Sequence, residues 1–130
     1  MLVPEGFSVV TPYIFAADAE LYIAFLSRAF GAVETRRSVD PTGQIAYSQM
    51  RLATATIMIS DATPEYPATK AAFYLYVEDA DAAMTQALGA GAKLLMDAAD
   101  MPYGDRQGGV SDPQGNIWWI SQRLTAEPYF

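Results

Sequence analysis

One pattern of elements is written twice along this chain, and that constrains its fold more than anything else. In the first half, the β-branched and aromatic run GFSVVTPYIF (6–15) predicts a strand. The segment AADAELYIAFLSRAFGA predicts a helix, with Asp18 as its cap, Leu21, Phe25 and Phe30 as its apolar stripe, and Gly31 as its stop. VETRRSV predicts a second strand and DPTG (40–43) a turn. QIAYSQMRL and ATIMISD predict two more strands, joined by a bend near Ala53. ATPEYPATK, with prolines 64 and 67, predicts a connecting loop. Then the order returns. AAFYLYVED predicts a strand, and DADAAMTQALGAGA a helix capped by Asp79 or Asp81 and ended by Gly89 or Gly91. KLLMDAAD predicts a strand running into a loop, MPYGDRQGGVSD a glycine-rich loop and short strand, DPQG a turn, and NIWWISQRL a last strand. The halves align with an offset of about 60 residues, Asp18 near Asp79 and FGAVE (30–34) near AGAKL (90–94). Two β-α-β-β-β modules follow, at about 8–61 and 71–123, joined by a linker at 62–70 within a single domain, 1–130. Each module has one helix to cover one face of a four-strand sheet. The other face needs a partner, either the sister module or a second chain.

Composition narrows what such a scaffold can do. The 130 residues suffice for one domain that buries roughly two-thirds of the surface its unfolded chain exposes. There is no cysteine, so no disulfide framework and no thiolate chemistry, and no histidine, the commonest general base and transition-metal ligand. Net charge is −7, and no basic stripe of the kind nucleic acid requires is present. The acidity favours solubility, and it would attract a cationic small ligand. No apolar run approaches the ~20 residues of a membrane span. The start MLVPEGFSVV lacks a charged segment followed by a long apolar one, so cytoplasmic residence is expected.

The paired modules, together with AFLSRAFGA (24–32), YVEDADAAMTQALGAGA (76–92) and YGDRQGGVSDPQGNIWWI (103–120), resemble the vicinal oxygen chelate superfamily. That superfamily includes glyoxalase I, extradiol dioxygenases, fosfomycin resistance enzymes and bleomycin resistance proteins. The resemblance covers about residues 8–123, and the YGDR…DPxG run looks most like a small glyoxalase-like subgroup. It implies an α+β fold in which two tandem βαβββ modules form a cupped mixed sheet with helices on the outer face, and a homodimer. In metal-dependent members, four His, Glu or Gln ligands stand on the floor of the cup. Those positions fall here on Thr11, Met58, Ala72 (to within one or two residues) and Trp119. None is a usual ligand for a divalent metal. The resemblance therefore implies a pocket without metal or cofactor, and puts glyoxalase and dioxygenase chemistry aside.

Strand alternation sorts the side chains once these positions are taken to face the cup. Tyr13 and Phe15 then join Thr11, and Thr56 and Ser60 join Met58, with Ile57 and Ile59 under the helix. Tyr74 and Tyr76 join Ala72, leaving Phe73, Leu75 and Val77 to the core. Ile117, Trp119 and Ser121 face the cup, and Trp118 and Ile120 the helix. On the third strand Tyr47 and Gln49 form the polar set. Tyr13, Tyr47, Met58, Tyr74, Tyr76 and Trp119 thus make a candidate ligand surface, broad apolar rings with polar tips. Its competing explanation is that these rings simply fill the cup or meet a dimer partner.

Candidates for catalysis are sparse. No Ser-His-Asp or Cys-His set can exist. Ser60 and Ser121 have no evident base, and Asp61 reads as a strand-end residue. Asp105 and Arg106 in YGDR are either a shaping pair for a glycine-rich loop or a clamp for a ligand carboxylate or phosphate, which places Arg106 among the candidate ligand-binding residues. Arg36 and Arg37 point to opposite faces of the second strand. GAGAK (89–93) sits at a helix end and reads as a cap, not a phosphate loop. Three functions remain open: a metal-free protein that binds an aromatic or cationic small molecule, which the rings favour; a metal-independent lyase or isomerase; and a scaffold without a working site.

Overall fold

A computed structural model of the chain describes residues 1–129. The chain divides into two units, Met1–Lys70 and Ala71 onward. The first holds β1 (Tyr13–Ala16), α1 (Ala19–Phe30), β2 (Val33–Val39), β3 (Ile45–Leu52) and β4 (Ala55–Asp61). The second holds β5 (Ala72–Tyr76), α2 (Ala80–Gly89), β6 (Lys93–Asp100), β7 (Asp105–Ser111) and β8 (Ile117–Arg123). Each unit is a four-stranded mixed sheet, β1-β4-β3-β2 and β5-β8-β7-β6, in which only the first pair is parallel. This is the expected α+β architecture, two copies of β-α-β-β-β.

Both helices begin and end where local chemistry dictates. Asp18 accepts the Leu21 N–H at 3.0 Å, and Asp79 the Ala82 N–H at 3.1 Å, each satisfying a donor the first helical turn leaves without a partner. Gly31, at φ 70°, closes α1 in the left-handed conformation that glycine adopts without steric cost. A second device caps both helices from the sheet. The Asp61 carboxylate at the end of β4 accepts the Ala19 N–H at 2.8 Å, and the Gln122 amide oxygen in β8 accepts the Ala80 N–H at 3.0 Å. Asp61 uses its other oxygen on the Ile45 N–H, at 2.7 Å, so its carboxylate holds helix and strand together.

The core of each unit lies between helix and sheet. In the first, Tyr22, Phe25 and Leu26 of α1 are fully buried over Met50 and Ile59. The buried face of α1 is Ala19, Tyr22, Ile23, Phe25, Leu26 and Ala29, while Leu21 is exposed. The expected stripe was correct at Phe25 and wrong at Leu21, because the 3.6-residue period runs from Ala19 through Tyr22, Ile23 and Leu26. In the second unit, Met84 and Ala87 of α2 pack over Val110, Trp118 and Ile120.

Two strands differ from expectation. β1 starts at Tyr13, and Val9 and Val10 are exposed. Pro12 has no N–H to extend the ladder, although its carbonyl still accepts the Met58 N–H at 2.9 Å. Conversely, β7 takes in Gly108 and Gly109, within the run that the sequence divides into a glycine-rich loop and a short strand. Both pair with β8, and both positions hold glycine because neighbours occupy the space a Cβ would need: Met84 Sδ lies 2.6 Å from that point at Gly108, and Trp119 Cζ3 2.6 Å from it at Gly109.

Candidate functional site

The face of each sheet turned away from its helix carries the rings singled out in the sequence. In the first unit Tyr13 pairs with Met58, and Met58 with Gln49, so all three side chains share this face. The Tyr47 hydroxyl accepts from the Gln49 amide at 2.6 Å, which places Tyr47 beside them. Tyr13 lies between Phe15 and Tyr47, with ring centroids 5.1 and 6.3 Å away. Two concavities open here. One, of about 420 Å³, is lined by Tyr13, Phe15, Ser60 and Tyr66 among others. The second, of about 490 Å³, lies where residues 1–9 pass Thr11, Gln49 and Met58. Both fall in the size range of small-molecule sites. The loop after β4 helps build the first: Tyr66 stacks on Phe15 at 5.5 Å, and the Thr69 N–H reaches the Phe15 carbonyl at 3.0 Å.

In the second unit Tyr74 pairs with Trp119, and Trp119 with Gly109. With no Cβ at Gly109, the indole of Trp119 settles against the sheet there. Tyr74 and Tyr76 follow along β5, their rings 5.3 Å apart and each about half exposed. Trp118 faces the other way. It is fully buried, stacks with Phe73 at 4.5 Å and donates its indole N–H to Asp112 at 2.9 Å. Asp112 also accepts the Gln114 and Asn116 N–H groups, each at 2.9 Å, so the DPQG turn and the core tryptophan are one construction. The DPTG turn repeats its backbone half, Asp40 accepting from Thr42 and Gln44 at 2.9 and 3.0 Å.

Below Trp119 on the same face is a polar corner that the sequence did not reveal as a unit. Asp105 is fully buried. It accepts from Tyr74 at 2.5 Å, from Tyr129 at 2.8 Å and from the Arg123 guanidinium at 2.9 Å. Gln107 donates to Ser121 at 2.9 Å and accepts from the Tyr103 hydroxyl. Burial, and then the hydrogen bond to Asp105, push the Tyr74 hydroxyl well above the ordinary tyrosine pKa. Tyr74 therefore stays protonated and can donate at any physiological pH. Counting back from Gly109 by twos reaches Gln107 and Asp105, so alternation alone could have brought them beside Trp119.

The remaining sequence candidates fall elsewhere. Arg106, by sequence either a loop-shaping residue or a clamp for an anionic ligand, stands on the other face of its sheet. It pairs with Gln122, on the helix-covered side, and its guanidinium binds Asp81 of α2 at 3.1 Å and Asp100 at 3.0 Å. Alternation from Asp105 puts it on the opposite face of its sheet from Tyr74, Tyr76 and Trp119. Arg37 likewise turns to the helix side, onto Glu34 and Glu20, whereas Arg36, in register with Gln49, turns to the ring-bearing face. The helix-end glycines serve as a cap, Gly91 standing at φ 109°.

The positions that hold metal in some vicinal oxygen chelate enzymes do not suit one here. The Thr11 hydroxyl donates to the Ser8 carbonyl at 2.8 Å. Met58 offers a thioether and Trp119 an indole N–H, which donates but has no lone pair for a cation. Tyr74, not Ala72, is the β5 residue in register with Trp119. Among the described residues no three His, Cys, Asp or Glu side chains are grouped to bind an ion.

Comparison with known proteins bears on the family and the fold. An uncharacterised protein of Mycobacterium bovis is 32% identical over 124 residues, covering 87% of this chain and 82% of that one. Among solved structures, TioX from Micromonospora sp. ML1 matches 90% of this chain and 99% of its own with a TM-score of 0.78 at 23% identity. TnmS3, an antibiotic binding protein from Streptomyces sp. CB03234, matches 95% and 98% with a TM-score of 0.73 at 21% identity. At those identities the two structures speak to the fold. The model of the Glyoxalase/Bleomycin resistance protein/Dioxygenase superfamily matches residues 7–120, nearly the whole duplicated region, and the chain belongs to that superfamily.

Proposed function

We propose that the protein binds a planar aromatic small molecule, without metal or cofactor, by stacking it on the rings of the helix-free faces. The observation that carries this reading is Trp119 lying against Gly109 with Tyr74 beside it. A flat indole backed by glycine in mid-strand is a platform, and a large ring beside a hydroxyl-bearing one suits an aromatic ligand with polar edges. Tyr76 extends that surface in the second unit, and Tyr13, Tyr47 and Met58 form a surface of the same kind in the first. A net charge of −7 favours a cationic ligand over an anionic one. The antibiotic-binding activity of the structurally similar TnmS3 supports small-molecule capture on this scaffold. We further assign the protein to the cytoplasm as a homodimer that engages neither nucleic acid nor membrane. No helix among the described residues is long and apolar enough to cross a bilayer.

Tryptophan fluorescence tests the reading, because only one of the two indoles belongs to the site. Titration with planar aromatic cations such as ethidium or acriflavine is expected to quench wild-type emission saturably. Trp119→Phe should abolish that quenching while the buried Trp118 keeps its own emission. Quenching that persists unchanged in the variant removes the proposed site, and stoichiometric metal in the purified protein overturns the metal-free assignment.

A further inference from the structure

After β8 the chain turns back and sets one of its own rings into the polar corner of the second unit. The Leu124 N–H bonds to the Gly104 carbonyl at 2.9 Å, and Arg123 Nη2 donates to the Glu127 carbonyl at 2.6 Å. The Tyr129 hydroxyl then donates to Asp105 Oδ2 at 2.8 Å and touches the Tyr76 hydroxyl. The Arg123 guanidinium covers the Tyr129 ring, 4.2 Å from its centroid. Yet residues 124–129 form no helix or strand, and Tyr129 remains 43% exposed. The Tyr103 ring stands beside it, 6.4 Å between centroids, and the segment that carries Tyr129 is irregular.

Every one of those contacts recognises a phenol, not a particular stretch of chain. A buried carboxylate takes the hydroxyl, a cation lies on the ring face, and a second phenol borders it. With the tail lifted, Asp105 keeps its bonds from Tyr74 and Arg123, and the corner retains one oxygen lone pair and a bare guanidinium face. We propose that this corner is a binding subsite for a hydroxylated aromatic ring, which Tyr129 occupies in the free protein and which a phenolic ligand takes by displacing it. The inference rests on the aromatic-binding reading above and adds the ligand's chemistry and its orientation, hydroxyl toward Asp105 and ring face against Arg123.

The test is an NMR titration of the isotopically labelled full chain with p-cresol, and with 4-methylanisole as the same shape without a hydroxyl donor. Tyr129→Ala removes the internal competitor, so p-cresol affinity should rise about 10-fold. Tyr129→Phe keeps the ring and loses the hydroxyl, and should raise it by about 2- to 5-fold. The ether should bind every form about 10-fold more weakly than p-cresol. These variants change only the tail, so both sheets stay intact. Equal p-cresol affinity in wild type and Tyr129→Ala, equal affinity for p-cresol and the ether, or no binding to any form would each overturn the inference. Saturable Trp119 quenching by ethidium, together with equal p-cresol affinity in wild type and Tyr129→Ala, would leave the stacking reading standing without this subsite. Phenol-selective shifts at Arg123 and Tyr76 without Trp119 quenching would do the reverse.

Discussion

The two units share a backbone plan and differ in how they spend space at matching points of the ladder. In the first, Tyr13, Met58 and Gln49 stand side by side across β1, β4 and β3. In the second, the same row holds Tyr74, Trp119 and Gly109. The tyrosine is kept, while a medium pair has become a large residue next to none. One residue along the same strands, on the helix-covered face, the exchange repeats: Ile57 with Met50 corresponds to Trp118 with Val110. Duplicated sheets diverge by paired changes of volume, because a close-packed interior tolerates a larger side chain only where a neighbour shrinks. The polar networks have also changed sides. In the first unit the buried serine and its acid, Ser48 and Glu34, lie under α1 at 2.6 Å, whereas in the second Asp105 and Gln107 lie on the helix-free face. In the second unit the stacking platform thus shares its face with a fully buried carboxylate, whereas the buried polar groups on that face of the first, Thr56 and Ser60, are hydroxyls.

The largest effect that could break this comparison is expected at Trp118. Trp118→Ala removes a fully buried indole and its bond to Asp112, and should cost about 3–5 kcal/mol in urea denaturation. Ile57→Val at the matching point of the first unit should cost about 0.5–1.5 kcal/mol. A cost for Trp118→Ala near that of Ile57→Val would mean that the larger ring contributes no more to its core than the isoleucine does. The paired-volume argument is tested next by Gly109→Ala. Its new Cβ would meet the Trp119 ring, with a cost of about 1–3 kcal/mol and loss of the Trp119 quenching described above. Gly108→Ala meets the flexible Met84 thioether instead, and should cost less while leaving quenching intact. If the two substitutions are equivalent, the glycine at 109 is not there for the indole.

Much of this could be read from the chain, and what could not has a physical reason. The doubled element order, both helix caps and both DPxG turns follow from residues that dictate backbone conformation locally. The opposite fates of Trp118 and Trp119 follow from alternation with period two, which any register preserves. The same alternation puts Arg106 and Asp105 on opposite faces. The polar corner was illegible. Asp105, Arg123 and Tyr129 are brought together by strand pairing and by a tail without periodicity, and neither leaves a local signature. The point at which MPYGDRQGGVSD passes from loop to strand was hidden because glycine signals a loop until the neighbours that need its space are known.

A smaller effect probes the capping device the two units share. Asp61→Ala leaves the Ala19 and Ile45 N–H groups without their acceptor, and should cost about 1–3 kcal/mol. Gln122→Ala frees one N–H group, at Ala80, and should cost about 0.5–1.5 kcal/mol. Equal losses would show that the second oxygen of Asp61 adds nothing to the first unit.

The smallest expected effects lie at the extremes of pH, and they separate the units by sign. Burial alone would raise the Glu34 pKa. Hydrogen bonds from Arg37 and Ser48, with the Arg37 charge, outweigh it and hold the carboxyl below its unfolded value of 4.5. A folded pKa below the unfolded one gives stability that is present above pH 4.5 and is lost as pH falls through the folded value. Tyr74 does the opposite. Its folded pKa lies above the unfolded value of 10.0, so stability is full below pH 10 and declines as pH rises beyond it, where the unfolded chain ionises first. Denaturation midpoints measured from pH 3 to 11 should therefore fall at both ends. Glu34→Gln should flatten the acid limb alone and Tyr74→Phe the alkaline limb alone. A variant that flattens both limbs, or neither, would mean that the two polar networks do not belong separately to the two sheet faces where their hydrogen bonds place them.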